Sequence, residues 1–493
     1  MAQQFDIAII GAGPGGYATA LRAAQLGKSV VMVERDATLG GTCLNRGCIP
    51  SKALITATRT LDTMRHGRQM GIVASLDEID FGQLRDYREH TVATMTQGLR
   101  GLVAFRKITV YQGEASLDAD RTVHVDPSDG NTHVRRYAED GGFEDVDEHL
   151  EIQATDVVVA TGSSPRPLPG TPFSAAVIDS THALELNTFP HSAAIIGSGA
   201  VALEFASMWR SAGCDVTLFI RHGNVLSHSD RRAALALNRE LKRLGITIVA
   251  NAQVTHVDTG ENLGAVVHYT TADGGEQTFA SELALVAIGR TPNTQAPWFA
   301  SSGLQVDDDG MIPTDAYGRT NLDHVWAVGD VTRGQLLAHR AFAQGLVIAE
   351  SIGGLDPQPV DAHTVPSVIF STPEFATVGL TLREAQADER YADVHETIFP
   401  VMANARMVMS GMGGSFSIVT GALRDGDGDG TQTVLGVHVV APDASDLIAE
   451  AQQIVANHIP LHEAANAIHP HPTFSEMIGE TLLKADGRPL HTR

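Results

Sequence analysis

The chain is sparing with cysteine: its 493 residues hold three. That excludes a secreted, disulfide-stapled fold and points to a reducing, cytoplasmic compartment. Basic residues are also short, 35 Lys and Arg against 58 Asp and Glu, for a net charge of −23. A surface of that sign gains nothing from a phosphate backbone, which argues against nucleic-acid binding. No run approaches the roughly 18 apolar residues of a membrane helix. The start, "MAQQFDIAIIGAGPGG", lacks a basic segment, and its apolar run reaches glycine after a few residues, so it does not read as a signal peptide. At about 150 residues per domain the length suits roughly three domains, with cores large enough to need no staples.

What is present begins with a repeat. "FDIAII" (5–10), "YATALRAAQLG" (17–27) and "SVVMVE" (29–34) read as strand, helix and strand, with glycines at the turns. The same grammar returns in "SAAIIGSGAVALEFASMWRSAGCDVTLFI" (192–220). Two such units predict two parallel sheets, each with a nucleotide site. The stretch 126–152 is acidic and glycine-rich and reads as hairpins with an exposed loop. "ATDVVVATGSSPRPLPG" (154–170) reads as a strand, a turn and a proline-rich boundary. In the last third, "GSFSIVTGAL", "TVLGVHVVAP" and "ASDLIAEAQQIVANH" predict an antiparallel sheet packed with helices. "RDGDGDGTQT" (424–433) starts like a calcium loop with Asp425, Asp427, Asp429 and Gly430. The closing glutamate is missing, since Gly436 holds that position, so a hairpin turn is expected.

Each repeat carries a glycine fingerprint between strand and helix. In the first, Gly11 permits the tight turn, Gly13 lets backbone approach a pyrophosphate, and Gly16 allows close packing. Glu34 ends the next strand, where a carboxylate can accept from a ribose. The second has Gly197, Gly199 and Ala202, but the expected acid is absent. Ile220, Arg221 and His222 stand there instead. A basic residue at that place favours the 2′-phosphate of NADP; it is equally a solvated strand end.

Cys43 and Cys48 share the stretch "GGTCLNRGCIPSK" (40–52). Zinc wants about four ligands, and no second cysteine pair exists. A disulfide needs Cα atoms within roughly 7 Å, whereas five helical residues rise about 7.5 Å, so a bridge requires a bend here. Gly40, Gly41 and Gly47 make one feasible. A thiol pair closely following a dinucleotide turn suggests a dithiol–disulfide couple exchanging electrons with a flavin; two buried free thiols are the plain alternative. Thiolate chemistry wants a base, and residues 40–52 lack one. "HPHPTFSE" supplies His469, His471 and Glu476. Proline after His471 disfavours helix there, and Pro472 can open the helix that carries Glu476. A hydrogen bond from the imidazole N–H to that carboxylate would fix the tautomer. A two-histidine metal site and ordinary surface histidines are the other readings of this segment.

Together these stretches resemble the flavoprotein disulfide reductases, most of all the dihydrolipoamide dehydrogenases. The resemblance rests on "IIGAGPGGYATALRAAQLG", "GGTCLNRGCIPSKAL", "VVATGSSPRPLPG", "IIGSGAVALEFA", "AIGRTPNT", "VWAVGDV", "LLAHRAFAQG" and "IHPHPTFSE", in family order over nearly the whole chain. It implies an α/β fold with two Rossmann-like dinucleotide-binding domains, for FAD and NAD(P), and a C-terminal α+β dimerisation domain. The implied spans are 1–164 for FAD with the redox cysteines, 165–288 for NAD(P), 289–358 completing the FAD domain, and 359–493 for dimerisation. FAD, one per subunit, would use Gly11, Gly13, Gly16, Glu34, Thr161, Gly162, Asp330 and Ala338, with His339 near the flavin. The nicotinamide would use Gly197, Gly199, Gly289 and Arg221. Lys52 resembles the lysine beside the flavin, and Glu204 the glutamate that pairs with it. Cys43 would meet the substrate, and Cys48 would face the flavin. His471 and Glu476 would be an acid–base pair supplied by the other subunit of a homodimer. Pro470 departs from the alanine usual in the lipoamide enzymes and stiffens the turn. The implied reaction oxidises dihydrolipoamide and reduces NAD, with lipoyl groups of a 2-oxoacid dehydrogenase or glycine cleavage type complex as partners. "IRHGN" instead resembles NADPH-linked glutathione reductases, which keeps NADPH-dependent reduction of another small disulfide as the alternative. A flavin-binding docking subunit is the non-catalytic reading.

Overall fold

The structure is a computed structural model that describes residues 3–128, 130–138, 142–260, 264–424 and 430–493. It divides into two units. The first comprises Met1–Ala53, Gly82–Pro165 and Arg290–Ala362; the second comprises Leu54–Phe81, Arg166–Gly289 and His363–Arg493.

The first unit is built on the expected strand–helix–strand start. Gln3–Ile10 pairs in parallel with Val30–Glu34 on one side and Leu150–Val159 on the other. The helix Pro14–Gln25 links the first two strands. Thr109–Gln112 and Val325–Ala327 extend the parallel part. Ile7, Ile9, Val31 and Val33 are buried, as parallel strands covered on both faces must be. The acidic stretch folds into antiparallel additions at the two sides of this sheet. Val134–Tyr137 pairs with Phe143–Asp147, and Val123–Asp126 pairs with Leu150–Ile152. The hairpins read from the sequence are therefore strands of the main sheet.

The second unit holds the second repeat. Its parallel sheet runs in the order Val177–Ile178, Leu283–Val286, Ser192–Ile196, Asp215–Phe219, Thr247–Val249. The helix Ala200–Ser211 follows the glycine turn as expected. Gln253–Thr259, Ala265–Thr270 and Glu276–Ser281 form a separate antiparallel sheet. The last third is a five-stranded sheet in which Ser415–Leu423 pairs antiparallel with Gln432–Ala441. Asp425, Asp427 and Asp429 lie outside the described residues, but their flanking strands pair as a hairpin reading requires. Ser415–Ala422 is buried at every position, so this strand is covered on both faces despite its alternating polarity. Ile448, Ala451 and Ile454 of the helix Ala444–Ala456 share one core with Phe416, Ile418, Val437 and Val439. No helix among the described residues is long and apolar enough to cross a membrane.

Candidate active site

The bend demanded between the cysteines is there. Cys43 lies in the short helix Gly41–Arg46, and Cys48 opens the next helix, Cys48–Gly67. Gly47 breaks the path between them, with φ −145° and ψ −103°. The two thiols are unlinked and hydrogen-bonded. Hydrogen bonding to Cys48, then burial, push the Cys43 thiol far above its ordinary pKa, while the Lys52 cation acts the other way. Lys52 lies one helical turn after Cys48, and its Nζ is 3.3 Å from Ser51 Oγ. Ser51 in turn donates to the Cys48 carbonyl at 3.1 Å.

This segment is fastened to the first glycine turn. Gly40 N–H donates to the Ala12 carbonyl at 2.9 Å. Gly41 has φ +54°, and a Cβ there would lie 2.7 Å from the Gly13 Cα. Backbone thus packs on backbone, with no room for a side chain. Within the turn, Gly11 has φ +101°, and a Cβ on it would collide with the Ala160 carbonyl; one on Gly16 would collide with the carbonyl of Gly11. Gly13 meets only Gly41, at 3.9 Å, which leaves its outer side open to a phosphate.

Glu34 is buried at the end of its strand. Its carboxylate accepts from Ala12 N at 2.7 Å and Asp36 N at 3.0 Å. Burial, the largest influence, raises its pKa. Asp330 accepts from Ser163 Oγ at 2.6 Å, and Arg290 Nε also donates to Ser163 at 2.6 Å. Thr161 Oγ1 donates to the Asn293 carbonyl at 2.9 Å, and Gly162, with φ +72°, accepts from Asn293 N. Ala338 begins the helix Ala338–Ile352. Gly345 of that helix approaches the helix Pro14–Gln25 so closely that a Cβ would lie 3.0 Å from the Gly15 carbonyl. The residues expected around a flavin all belong to the first unit. Glycine-lined space, a buried carboxylate at the strand end and the ordered Asp330 fit a bound dinucleotide.

The second turn has the same form. A Cβ on Gly197 would collide with the Ala287 carbonyl, whereas one on Gly199 meets nothing within 4 Å. Ala202 is buried behind them. Gly289, with φ +127°, likewise faces open space. Leu226 N–H donates to the Ser198 carbonyl at 3.1 Å, bringing the loop after Arg221 against the turn. Ile220 is buried, and Arg221 and His222 are exposed. Glu204, buried in the helix Ala200–Ser211, accepts from Phe370 N at 3.1 Å.

His471 Nδ1 bonds Glu476 Oε1 at 2.7 Å, and the other Glu476 oxygen accepts from Thr473 N at 2.7 Å. The His471 side chain is 76% exposed, so the carboxylate fixes an imidazole that faces outward. Burial, the largest influence, raises the Glu476 pKa, but the bonds from His471 and Thr473 together outweigh it and hold it below its ordinary value. One expectation is corrected. Pro472 does not open the helix: Ser475 is its cap and Glu476 its first residue. His469 is different in kind. It turns inward to Glu450, 2.8 Å away, and a side chain at Gly479 would strike its ring.

Residues 5–345 match the family described as pyridine nucleotide-disulphide oxidoreductase, and residues 365–482 match the dimerisation domain of that family. The chain belongs to this oxidoreductase family. The dihydrolipoyl dehydrogenase of Chlamydia pneumoniae is 36% identical over 491 residues, covering 100% of this chain and 99% of that one. That of Geobacillus stearothermophilus is 35% identical, covering 98% and 96%. Among solved structures, LpdA from Mycobacterium tuberculosis superposes with a TM-score of 0.82 at 27% identity, covering 98% of this chain and all of that one. The matched dimerisation domain supports a homodimer.

Sequence reasoning missed some residues of this oxidoreductase. Tyr17 is one: its hydroxyl pKa rises to about 12, from burial first and then from the charges of Cys43 and Cys48. Its place three residues into the first helix, just beyond the fingerprint, was the available signal. Ser163, Arg290 and Asn293 are others. They sit inside the motifs "ATGSS" and "GRTPN", but only the fold joins those motifs through paired strands.

Proposed function

We propose that this oxidoreductase is a dihydrolipoyl dehydrogenase that reduces NAD. What carries the reading is the hydrogen-bonded cysteine pair, fastened backbone to backbone onto the first glycine turn. Full-length similarity to dihydrolipoyl dehydrogenases supports the substrate. In this reading residues 1–164 and 289–358 hold FAD, residues 165–288 hold the nicotinamide, and residues 359–493 form the dimer.

The chain's own chemistry is thiol–disulfide exchange. In the oxidised state Cys43 and Cys48 form a disulfide. His471, supplied by the partner subunit, takes the proton from one substrate thiol. The resulting thiolate attacks Cys43 Sγ, a substrate–Cys43 bond forms, and Cys48 leaves as the thiolate. The second substrate thiol then attacks the substrate sulfur of that bond, and its proton passes to the departing Cys43 Sγ while His471 keeps the first proton. A cyclic lipoyl disulfide leaves, Cys43 is a thiol, Cys48 is a thiolate, and His471 carries the remaining proton. Two electrons have entered the protein dithiol. Glu476 accepts from His471 Nδ1 and so holds the His471 tautomer. Lys52 places a cation beside the cysteine couple. Gly11, Gly13, Gly16, Glu34, Thr161, Gly162, Asp330 and Ala338 would hold FAD, which would supply two-electron transfer between the dithiol and the nicotinamide.

The partners are a second copy of the chain and the lipoyl groups of a 2-oxoacid dehydrogenase or glycine cleavage type complex; the compartment is cytoplasmic. The exposed Arg221 at the end of the second nucleotide strand favours one rival, an NADPH-dependent reductase of another small disulfide. Parallel turnover assays with dihydrolipoamide and NAD, dihydrolipoamide and NADP, and glutathione disulfide with NADPH separate the two. Turnover confined to the glutathione arm would sink the lipoamide reading.

A further inference from the structure

Among the described residues, two groups of side chains away from the sites above converge metal-ligating atoms: His124, His149 and Glu151, and His256, Asp258 and His268. We propose that the first group is a surface site for a divalent transition-metal ion of the zinc class. Its ligands are His124 Nδ1, His149 Nε2 and the Glu151 carboxylate. Strand register builds it. Val123–Asp126 runs antiparallel to Leu150–Val159, with His124 opposite Glu151 and Val125 opposite Leu150. His149 directly precedes Leu150 and so comes beside Asp126. Val123, Val125, Leu150 and Ile152 point into the core. The alternation of a strand then leaves His124, Asp126, His149 and Glu151 together on the outer face.

The hydrogen bonds around the two rings make the case. His124 Nε2 lies 2.9 Å from Asp118 Oδ2, and His149 Nδ1 lies 2.8 Å from Asp126 Oδ1. An ionised carboxylate only accepts, so each of these outer nitrogens carries the proton. In the neutral rings the inner nitrogens then carry lone pairs, and His124 Nδ1 and His149 Nε2 lie 3.2 Å apart. Two lone pairs at that distance repel, and a cation between them turns the repulsion into two bonds. Two imidazole nitrogens at ~2.0–2.1 Å from a tetrahedral zinc lie about 3.3 Å apart, close to the spacing already in place. Glu151 Oε1 is 4.0 Å from His124 Nδ1, within reach of a side-chain rotation. A carboxylate behind each histidine is the outer support that orients a metal-bound imidazole and raises its basicity. Imidazole with carboxylate suits zinc, copper or nickel better than calcium or magnesium. The second group lacks this logic. There a single oxygen, Asp258 Oδ2, faces both ring nitrogens at 3.6 and 3.1 Å, so the carboxylate neutralises the rings directly instead of backing them.

The test is zinc titration of the FAD-loaded holoenzyme against a chromophoric chelator. The oxidised form is used, because its disulfide withdraws Cys43 and Cys48 from competition. The expected result is one zinc per chain in the wild type and in His256→Asn/His268→Asn. His149→Ala abolishes it with FAD content unchanged. Asp126→Asn weakens it 10- to 100-fold, the usual effect of losing an outer carboxylate. Glu151→Gln, which leaves both strands' backbones and rings intact, also weakens it and guards against a folding defect in His149→Ala. The proposal is overturned if the wild type takes no zinc from the chelator, the result expected when a shared proton alone bridges the rings. It is equally overturned if His149→Ala binds like wild type, or if the zinc is lost in His256→Asn/His268→Asn.

Discussion

Gly41→Ala should break the fastening between the cysteine segment and the first glycine turn. The position has φ +54°, and the added Cβ would lie 2.7 Å from Gly13 Cα and 3.3 Å from Gly13 N. Both neighbours are backbone and cannot swing away. Left-handed backbone costs a non-glycine residue about 1–2 kcal/mol, and overpacking typically adds about 1–3 kcal/mol. A loss near 3 kcal/mol lowers Tm by roughly 6–12 °C, at about 2–4 °C per kcal/mol for a unit of this size. Because the same turn would cradle the FAD pyrophosphate, FAD retention should fall as well. The assay is thermal unfolding followed by near-UV circular dichroism, with bound flavin counted by absorbance. Gly98→Ala is the control: Gly98 lies within the helix Phe81–Phe105, and a Cβ there meets nothing within 4 Å. It should hold or raise Tm, since alanine is the better helix former by about 0.5–1 kcal/mol. Unchanged Tm and flavin content in Gly41→Ala would refute the close packing and the positioning argument built on it.

Glu476→Gln removes the charge on the bond to His471 Nδ1. A hydrogen bond to a charged group is worth about 1.5–3 kcal/mol, and the exposed ring calls for the lower half of that range. Turnover with dihydrolipoamide should fall roughly 10- to 30-fold with a modest drop in Tm near neutrality; a variant as fast as wild type contradicts the pairing. Because Glu476 titrates below its ordinary 4.5 in the folded chain, its stabilisation is complete above pH 4.5 and is lost as pH falls through the folded value. The Tm difference between wild type and Glu476→Gln should therefore close below that pH, and a difference that persists or widens in acid counts against the bond. His469→Ala should cost stability through loss of the inward contact with Glu450 rather than lower turnover by itself, which distinguishes the two histidines. Arg221→Glu should leave NAD turnover within about twofold and lower any residual NADP turnover; a wild type that prefers NADP would reverse the nicotinamide assignment.

Much of the architecture was legible because it is local. Glycine fingerprints, a buried apolar strand before each and a helix after each are written within about 30 residues, the length of one such unit. The kink between Cys43 and Cys48 was legible too, from a distance a straight helix cannot satisfy. The acidic stretch was harder. Its strands carry few apolar residues on the outer face, and only their long-range pairing shows that they extend the main sheet. The helix start near Glu476 was misplaced because proline at the first helical turn is a preference, whereas Ser475 takes the capping position here. Tyr17 and the Ser163–Arg290–Asp330 network escaped because their contacts join segments far apart in sequence. The paired histidines on Val123–Asp126 and before Leu150 escaped for the same reason. His124 and His149 are 25 residues apart and meet only through strand register.

The central claim is that Cys43 and Cys48 relay an electron pair between a dithiol substrate and a bound flavin. Anaerobic addition of one equivalent of dihydrolipoamide to the oxidised holoenzyme tests it most directly. The account predicts a long-wavelength absorbance band in the wild type, absent from Cys48→Ser, with one lipoamide formed per active site. A wild type that shows no such band and forms no lipoamide would contradict it.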